Sequence, residues 1–374
     1  MQLIVGMVDC RSQLTWLQIA THMVADRNSH GGEGRGTLVE AVVRSAVDRA
    51  PVGRDRRRRG DGRARSGLGQ VGRRPAVVGR MRRIADSTMA LRAHWMAMNL
   101  SAPLSTRIAG AIAARIWFTP WSVPLGSRGK ARQERWLEGA RPLSFDTSHG
   151  TLRGFSASAG PTILLVHGWG DRAASMRAFI TPLTEAGYRV VGFDQVGHGS
   201  SDWKQPNAYI LADAIREVAE AIGEVRSVVG HSIGGLATMI ALRDGLEVDS
   251  VVLISPSSNL QSVVRRFGSM LKIPRRAEVG LHRELEKRFG KNVWENLAAP
   301  GLIRGVETPA LIVHDRNDPQ VSHEDSELLA RSWPQAQLML TEDLGHGRIL
   351  RDESVLSEAV SFIKRLESAR SHSL

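Results

Sequence analysis

The stretch Arg226-Ser-Val-Val-Gly-His-Ser232-Ile-Gly-Gly-Leu-Ala-Thr-Met-Ile-Ala-Leu242 restricts the fold of this chain more than any other. Val228 and Val229 close a short apolar run of strand character, Gly230 and Gly234 flank Ser232 at i−2 and i+2, and an apolar run compatible with a helix follows at once. The pattern predicts a strand, a sharp turn and a helix. A serine at such a turn sits on crowded backbone, which is why glycine is needed on both sides, and its hydroxyl projects above the carboxyl edge of a sheet. The next amide, on Ile233, then heads the helix, where it can stabilise an oxyanion.

Glycine and serine are common, so the motif alone also fits an ordinary turn, and its surroundings decide. Short strand-like runs and helical runs alternate along the chain. Antiparallel strands are expected at 142–146 and 151–155, then a strand at 163–166, a helix at 173–185, a strand at 188–193 and a helix at 207–222. After the elbow come a strand at 250–255 and three helical segments without a strand, at 260–271, 278–289 and 293–297. A strand at 309–314 resumes the sheet. Ser322 is expected to cap the next helix with Asp325 three residues on, and Leu328, Leu329 and Trp333 to form its buried side. The last strand is expected at 337–340, and the last helix at 354–366, burying Val355, Leu356, Ala359, Phe362, Ile363 and Leu366. Short uninterrupted apolar runs need cover on both faces, which makes this an α/β chain with a mostly parallel sheet.

The N-terminal part differs in kind. Of the formal net charge of +12, a local +10 comes from twelve arginines and two aspartates at 51–83. Arg56 to Arg59 lie among Gly, Asp and Pro without an aromatic platform, and arginine dominates lysine 44 to 6, so no specific nucleic-acid partner is inferred. Residues 1–80 carry too few apolar positions to offset the entropy of ordering, and are expected to be a disordered tail or to precede the natural start. Residues 81–118 read as one or two helices broken near Pro103, in which Leu104, Ile108, Ile112 and Ile116 recur at i, i+4. That face is expected to pack on its own domain; the arginines between its members leave peripheral contact with a membrane surface as the second option. A connector at 119–124 and a short polar helix or loop at 130–138 follow. Arg107 and Arg115 interrupt the most apolar stretch, which therefore does not read as a transmembrane helix. The single cysteine, Cys10, excludes an intramolecular disulfide, the first residues do not read as a signal peptide, and a cytoplasmic location is expected.

Residues from about 140 to 368 resemble the α/β-hydrolase superfamily, in its serine esterase and lipase-like branch with a helical cap. The resemblance rests on HGWG at 167–170, DQVGHGSS at 194–201, GHSIGG at 230–235, DRNDPQV at 315–321 and GHG at 345–347. It implies an eight-stranded, mostly parallel sheet with helices on both faces, the core at 139–257 and 301–374, a cap at 258–300, and a helical segment and connector at 81–138. Carried over position by position, it implies Ser232 as nucleophile, His346 as base and Asp318 as the orienting acid, with Asp315 its rival three residues away. The chain order Ser, Asp, His agrees with this. The oxyanion hole falls to the amides of Trp169 and Ile233, while His167 and His198 lie in the family's noncatalytic turns. Candidate pocket residues are His231 beside the nucleophile, and Phe267, Met270 and Trp294 under the cap.

No histidine and carboxylate set has zinc spacing, and the glycine-rich turns match neither a P-loop nor a dinucleotide fingerprint, so neither metal nor cofactor is expected. The expected activity is hydrolysis of a carboxylic ester with a small or medium hydrophobic acyl group, by way of an acyl-enzyme. Amide, thioester or carbon–carbon bond hydrolysis on the same fold, and a noncatalytic binding or scaffold protein, are the alternatives. Serine instead of aspartate at the elbow argues against haloalkane or epoxide chemistry. A small-molecule ester is the expected partner, and the oligomeric state is left open.

Overall fold

The computed structural model describes residues 91–120 and 127–371. The expectations for residues 1–80, the first ten residues of the helical segment at 81–118 and the connector from residue 121 on lie outside them. Helical residues 91–101 and helix α1, Thr106–Trp117, are separated by a turn at Pro103. Helix α2, Ser127–Trp136, then leads into strands β1, Arg141–Thr147, β2, Gly150–Ala157, and β3, Thr162–Val166. A 3-10 turn at Ala173–Phe179 runs into helix α3, Ile180–Glu185, followed by β4, Arg189–Phe193, α4, Ala208–Ile222, and β5, Val225–His231. The elbow leads to α5, Ile233–Arg243, and β6, Ser250–Ile254. Two longer helices, α6, Leu260–Met270, and α7, Arg275–Phe289, and a helical turn at Val293–Asn296 intervene before β7, Ala310–Asp315. Helix α8, His323–Ser332, β8, Ala336–Thr341, and α9, Glu353–Ser371, complete the described residues.

The eight strands form one sheet in the order β1-β2-β4-β3-β5-β6-β7-β8. Only the β1/β2 and β2/β4 pairs are antiparallel. Every residue of β3, β6 and β7 is buried, because helices cover both faces of the parallel part. Alternate residues of each strand feed two apolar layers. Leu164, Val166 and Val228 join the layer under α4 and α5, while Ile163, Leu165 and Val229 join the layer with Phe179, Leu183 and Phe362.

Five local expectations are corrected. A single helix over 173–185 is replaced by the 3-10 turn and the short α3, because Pro182 has no N–H to donate to the fourth residue before it and its ring crowds that carbonyl. Ser322 stands at the N-cap of α8 but makes no capping hydrogen bond. On the same helix Leu328 is exposed, since only Leu329 and Trp333, four residues apart, share the inner face. In α9, Leu356 and Leu366 are only partly buried, flanking the stripe of Val355, Ala359, Phe362 and Ile363.

The fifth correction concerns α1 and the turn before it, where Leu104 is 86% and Ile108 55% exposed while Ile116 is fully buried. The inner face consists of small residues, Ala109, Gly110, Ala113 and Ala114. Helix α7 crosses there so closely that a Cβ on Gly110 would lie 2.4 Å from the Gly280 Cα, and a Cβ on Gly280 would lie 2.3 Å from the Thr106 carbonyl oxygen. Such contact excludes large side chains, and an i, i+4 series drifts around the helix, so its early members finish outside. Gly280→Ala is expected to lower the thermal midpoint by about 3–10 °C through overpacking. An unchanged midpoint would show that the two helices slide apart freely.

Candidate active site

Ser232 follows the carboxyl end of β5 with φ 55° and ψ −121°, a conformation that costs a non-glycine residue about 1–3 kcal/mol. The surroundings hold it there. Its amide donates to the Ile254 carbonyl at 3.0 Å, and its carbonyl accepts from Leu236 at 3.2 Å and Ser257 at 3.1 Å. Gly234 is required, since a Cβ would come within 2.5 Å of the His167 carbonyl oxygen. Ile233 opens α5, where first-turn amides have no intrahelical acceptor. Trp169 lies in the turn after β3, between Gly168 and Gly170, and Gly170 has φ 71°.

The segments after β7 and β8 bring the other two groups together. His346 Nδ1–H donates to Asp318 Oδ2 at 2.7 Å, and both residues are buried. The other carboxylate oxygen, Oδ1, accepts from the amides of Gln320 at 2.7 Å and Val321 at 3.0 Å. Burial by itself would push the Asp318 carboxyl up. The charge of His346 and hydrogen bonds from His314, His346 and Val321 outweigh it and hold the group well below the usual carboxylate range. With Nδ1 committed as donor, Nε2 of His346 is left with the lone pair.

Asp315 has a different use. Its carboxylate accepts from the amides of Asn317 at 3.0 Å and Leu344 at 3.0 Å and from the Thr341 hydroxyl at 2.8 Å, so it joins the ends of β7 and β8. His314, which the sequence reading did not single out, lies with Nε2 3.2 Å from the Val321 carbonyl and 3.5 Å from Asp318 Oδ2, and Nδ1 2.6 Å from the Ser326 hydroxyl. Its place four residues before Asp318, at the end of a buried strand, was the available signal.

His231 and Trp294 do not line the cleft. His231 lies beneath the site, its ring 4.6 Å from that of His346 and its Nε2–H donating to the His346 carbonyl at 3.0 Å. Trp294 stacks on His282 and donates its indole N–H to Glu286 Oε1 at 2.9 Å. Phe267 and Met270 do border the cleft above Ser232, whose void measures about 1030 Å³ including the open mouth. The remaining wall is mostly apolar, and Trp117 and Phe118 of the α1 end contribute to it along with Phe289 of α7. Sequence reading missed these three; the aromatic pair closing α1 was the clue. Arg266 also borders the cleft, donating Nη1–H to the Asp318 carbonyl at 3.3 Å. Among the described residues no group of three histidine, cysteine, aspartate or glutamate side chains is arranged to hold a metal ion.

The turns around the site rest on buried neutral histidines. His167 donates Nδ1–H to the Gly168 carbonyl at 2.8 Å and accepts the Gln195 amide at Nε2 at 2.9 Å. Asp194 accepts from the amides of Ala173 and Ser200, each at 2.8 Å. Burial lowers His167 to about 4 and, with the nearby His167 and His346 charges respectively, lowers His198 and His231 to about 3. The unfolded chain takes up protons on these three below about pH 6.5. The folded chain does not until about pH 4, so stability falls as pH drops through that window, by up to about 1.4 kcal/mol per pH unit for each group. Burial pushes Asp171 and Asp194 up, and these two act in the opposite sense. A thermal midpoint falling steadily from pH 7 to pH 5 is the expected result; a flat profile would mean that the folded protein protonates these histidines.

The sequence pattern of the Alpha/beta hydrolase family matches residues 163–358. An uncharacterized protein of Mycobacterium tuberculosis is 35% identical over 118 residues, 30% of this chain and 34% of that protein. A pimeloyl-(acyl-carrier protein) methyl ester esterase of Pseudoalteromonas atlantica is 31% identical over 114 residues, 30% of this chain and 44% of that protein. The chain thus spans about a third to under half the length of these curated relatives. In fold, a bacterial membrane phospholipase A is similar with a TM-score of 0.51 at 17% identity, over 68% of this chain and 93% of that structure.

Proposed function

This chain belongs to the alpha/beta hydrolase family, and from that premise we propose that it is a serine hydrolase acting on a carboxylic ester with a small or medium hydrophobic acyl group. The observation that carries the reading is the 2.7 Å hydrogen bond from His346 to Asp318, on the same sheet edge as the strained Ser232. Asp318 keeps the proton on Nδ1 of His346, so Nε2 takes the Ser232 proton as Oγ attacks the carbonyl carbon. The amides of Trp169 and Ile233 receive the negative charge that develops on the carbonyl oxygen. Collapse expels the alcohol, protonated by Nε2–H, and leaves an acyl-enzyme. Water, deprotonated by Nε2, then attacks the acyl carbon; Ser232 recovers its proton as the acid departs.

Segment 258–300 is read as a cap whose inner side, with Phe267 and Met270, meets the acyl group. The apolar wall supports a hydrophobic acyl chain. A fluorophosphonate probe is expected to label Ser232, and a graded series of acyl esters to peak at short-to-medium chains. An unlabelled, correctly folded protein would point instead to a binding or scaffold role. Labelling with turnover of amides or thioesters only would keep the nucleophile and change the bond.

A further inference from the structure

The outward side of the α1 and α7 pair combines two properties that packing within the chain does not explain. Leu104 and Ile108 protrude, and Met96 and Leu100 of the helical residues 91–101 are likewise more than half exposed. Arg92, Arg107 and Arg115 are exposed among them, and the sequence from 87 to 133 contains no aspartate or glutamate. On α7 the exposed positions are Arg275, Arg276, Val279, Arg283, Lys287 and Arg288, all cationic but one. The two helices share one surface, for Gly110 meets Gly280 and Arg276 Nη1–H donates to the Pro103 carbonyl at 2.7 Å.

We infer that this face docks on an anionic phospholipid surface. The protruding aliphatic groups enter the boundary between headgroups and acyl chains, and the arginine stems extend beside them with their charged ends among the headgroup phosphates. The cations supply the attraction to anionic lipid. A second copy of the chain would set like charge against like charge. The segment 51–83, itself formally +10, is equally unsuited to cover the face. A nucleic acid would match the charge and leave the protruding Leu104 and Ile108 in water. Among the described residues no helix is long and apolar enough to cross a membrane, so the contact is peripheral. The inner ends of the same two helices supply Trp117, Phe118 and Phe289 to the cleft wall, so docking brings the cleft to the bilayer. The inference is independent of the reaction assigned to Ser232.

The test is co-sedimentation of the full chain with vesicles of phosphatidylcholine alone and of phosphatidylcholine containing phosphatidylglycerol, at low and high salt. Binding is expected to the phosphatidylglycerol vesicles, weakened by salt. The double variants Leu104→Glu/Ile108→Glu and Arg275→Gln/Arg283→Gln are each expected to partition about tenfold less, with thermal midpoint and turnover of a water-soluble ester unchanged. Two variants on different helices keep the test alive if one misfolds. Basic residues at 51–83 are present in every protein compared, so their attraction is a common background. Equal binding by wild type and both variants overturns the proposal, as does equal binding to neutral vesicles. Self-association abolished by Leu104→Glu/Ile108→Glu, without vesicle binding, would assign the face to a second copy.

Discussion

Ester turnover by the Ser232→Ala protein is expected to fall at least about a thousandfold, with fluorophosphonate labelling lost and the thermal midpoint nearly unchanged. Removing Oγ removes the atom that would carry the acyl group, while the oxyanion amides and the apolar cleft remain and sustain only a residual rate. Stability is spared because the Ser232 side chain makes no capping hydrogen bond to α5, and alanine occupies the same backbone conformation at similar cost. Ser232→Gly is a useful companion, since glycine relieves the positive φ and should be as inactive yet at least as stable. Turnover close to wild type, in Ser232→Ala protein freed of contaminating esterase, would rule out the acyl-enzyme.

The inner strands were legible because they are short apolar runs ended by glycine, proline or polar residues, and the sheet buries such runs whole, as in β3 and β7. The elbow was legible because its sterics are written in residue types: only glycine fits at 234, 2.5 Å from the His167 carbonyl oxygen. What periodicity does not carry is which side of a helix another element approaches. Large apolar residues on α1 suggested the wrong face, because the true contact is set by a glycine at 110 and another 170 positions later. The same long-range crossing brings Trp117 to within 5.0 Å of Phe267, edge to face, so the cleft wall contributed by α1 could not be anticipated from either segment alone.

Side-chain direction was the other unreadable quantity. His231 adjoins the nucleophile in sequence, yet its ring lies beneath the site and holds the backbone of His346. Trp294 has an indole N–H to satisfy, and Glu286, eight residues earlier on α7, draws it off the cleft. For the acid, motif spacing favoured Asp318 over Asp315 without giving a physical reason. That reason lies in the hydrogen bonds each carboxylate already makes.

Asp318→Asn is expected to lose at least about a hundredfold in turnover, toward the ten-thousandfold seen when the corresponding aspartate of a serine protease is changed, with little change in thermal midpoint. The amides of Gln320 and Val321 both donate to one oxygen of this side chain, so an asparagine would keep its carbonyl there and turn its NH2 toward His346. Nδ1 of His346 would then have to accept. The proton moves to Nε2, where it blocks removal of the Ser232 proton, and the imidazolium of the reaction loses its balancing charge. Asp315→Asn should behave in the opposite way. Its carboxylate bonds Asn317, Leu344 and the Thr341 hydroxyl and makes no contact with the imidazole of His346, so the substitution should lower the thermal midpoint and cost less than about tenfold in turnover. Measuring both variants over one pH series decides between them. A severe loss in Asp315→Asn with a mild one in Asp318→Asn reverses the assignment, and mild losses in both mean that His346 is oriented by something other than a carboxylate on this turn.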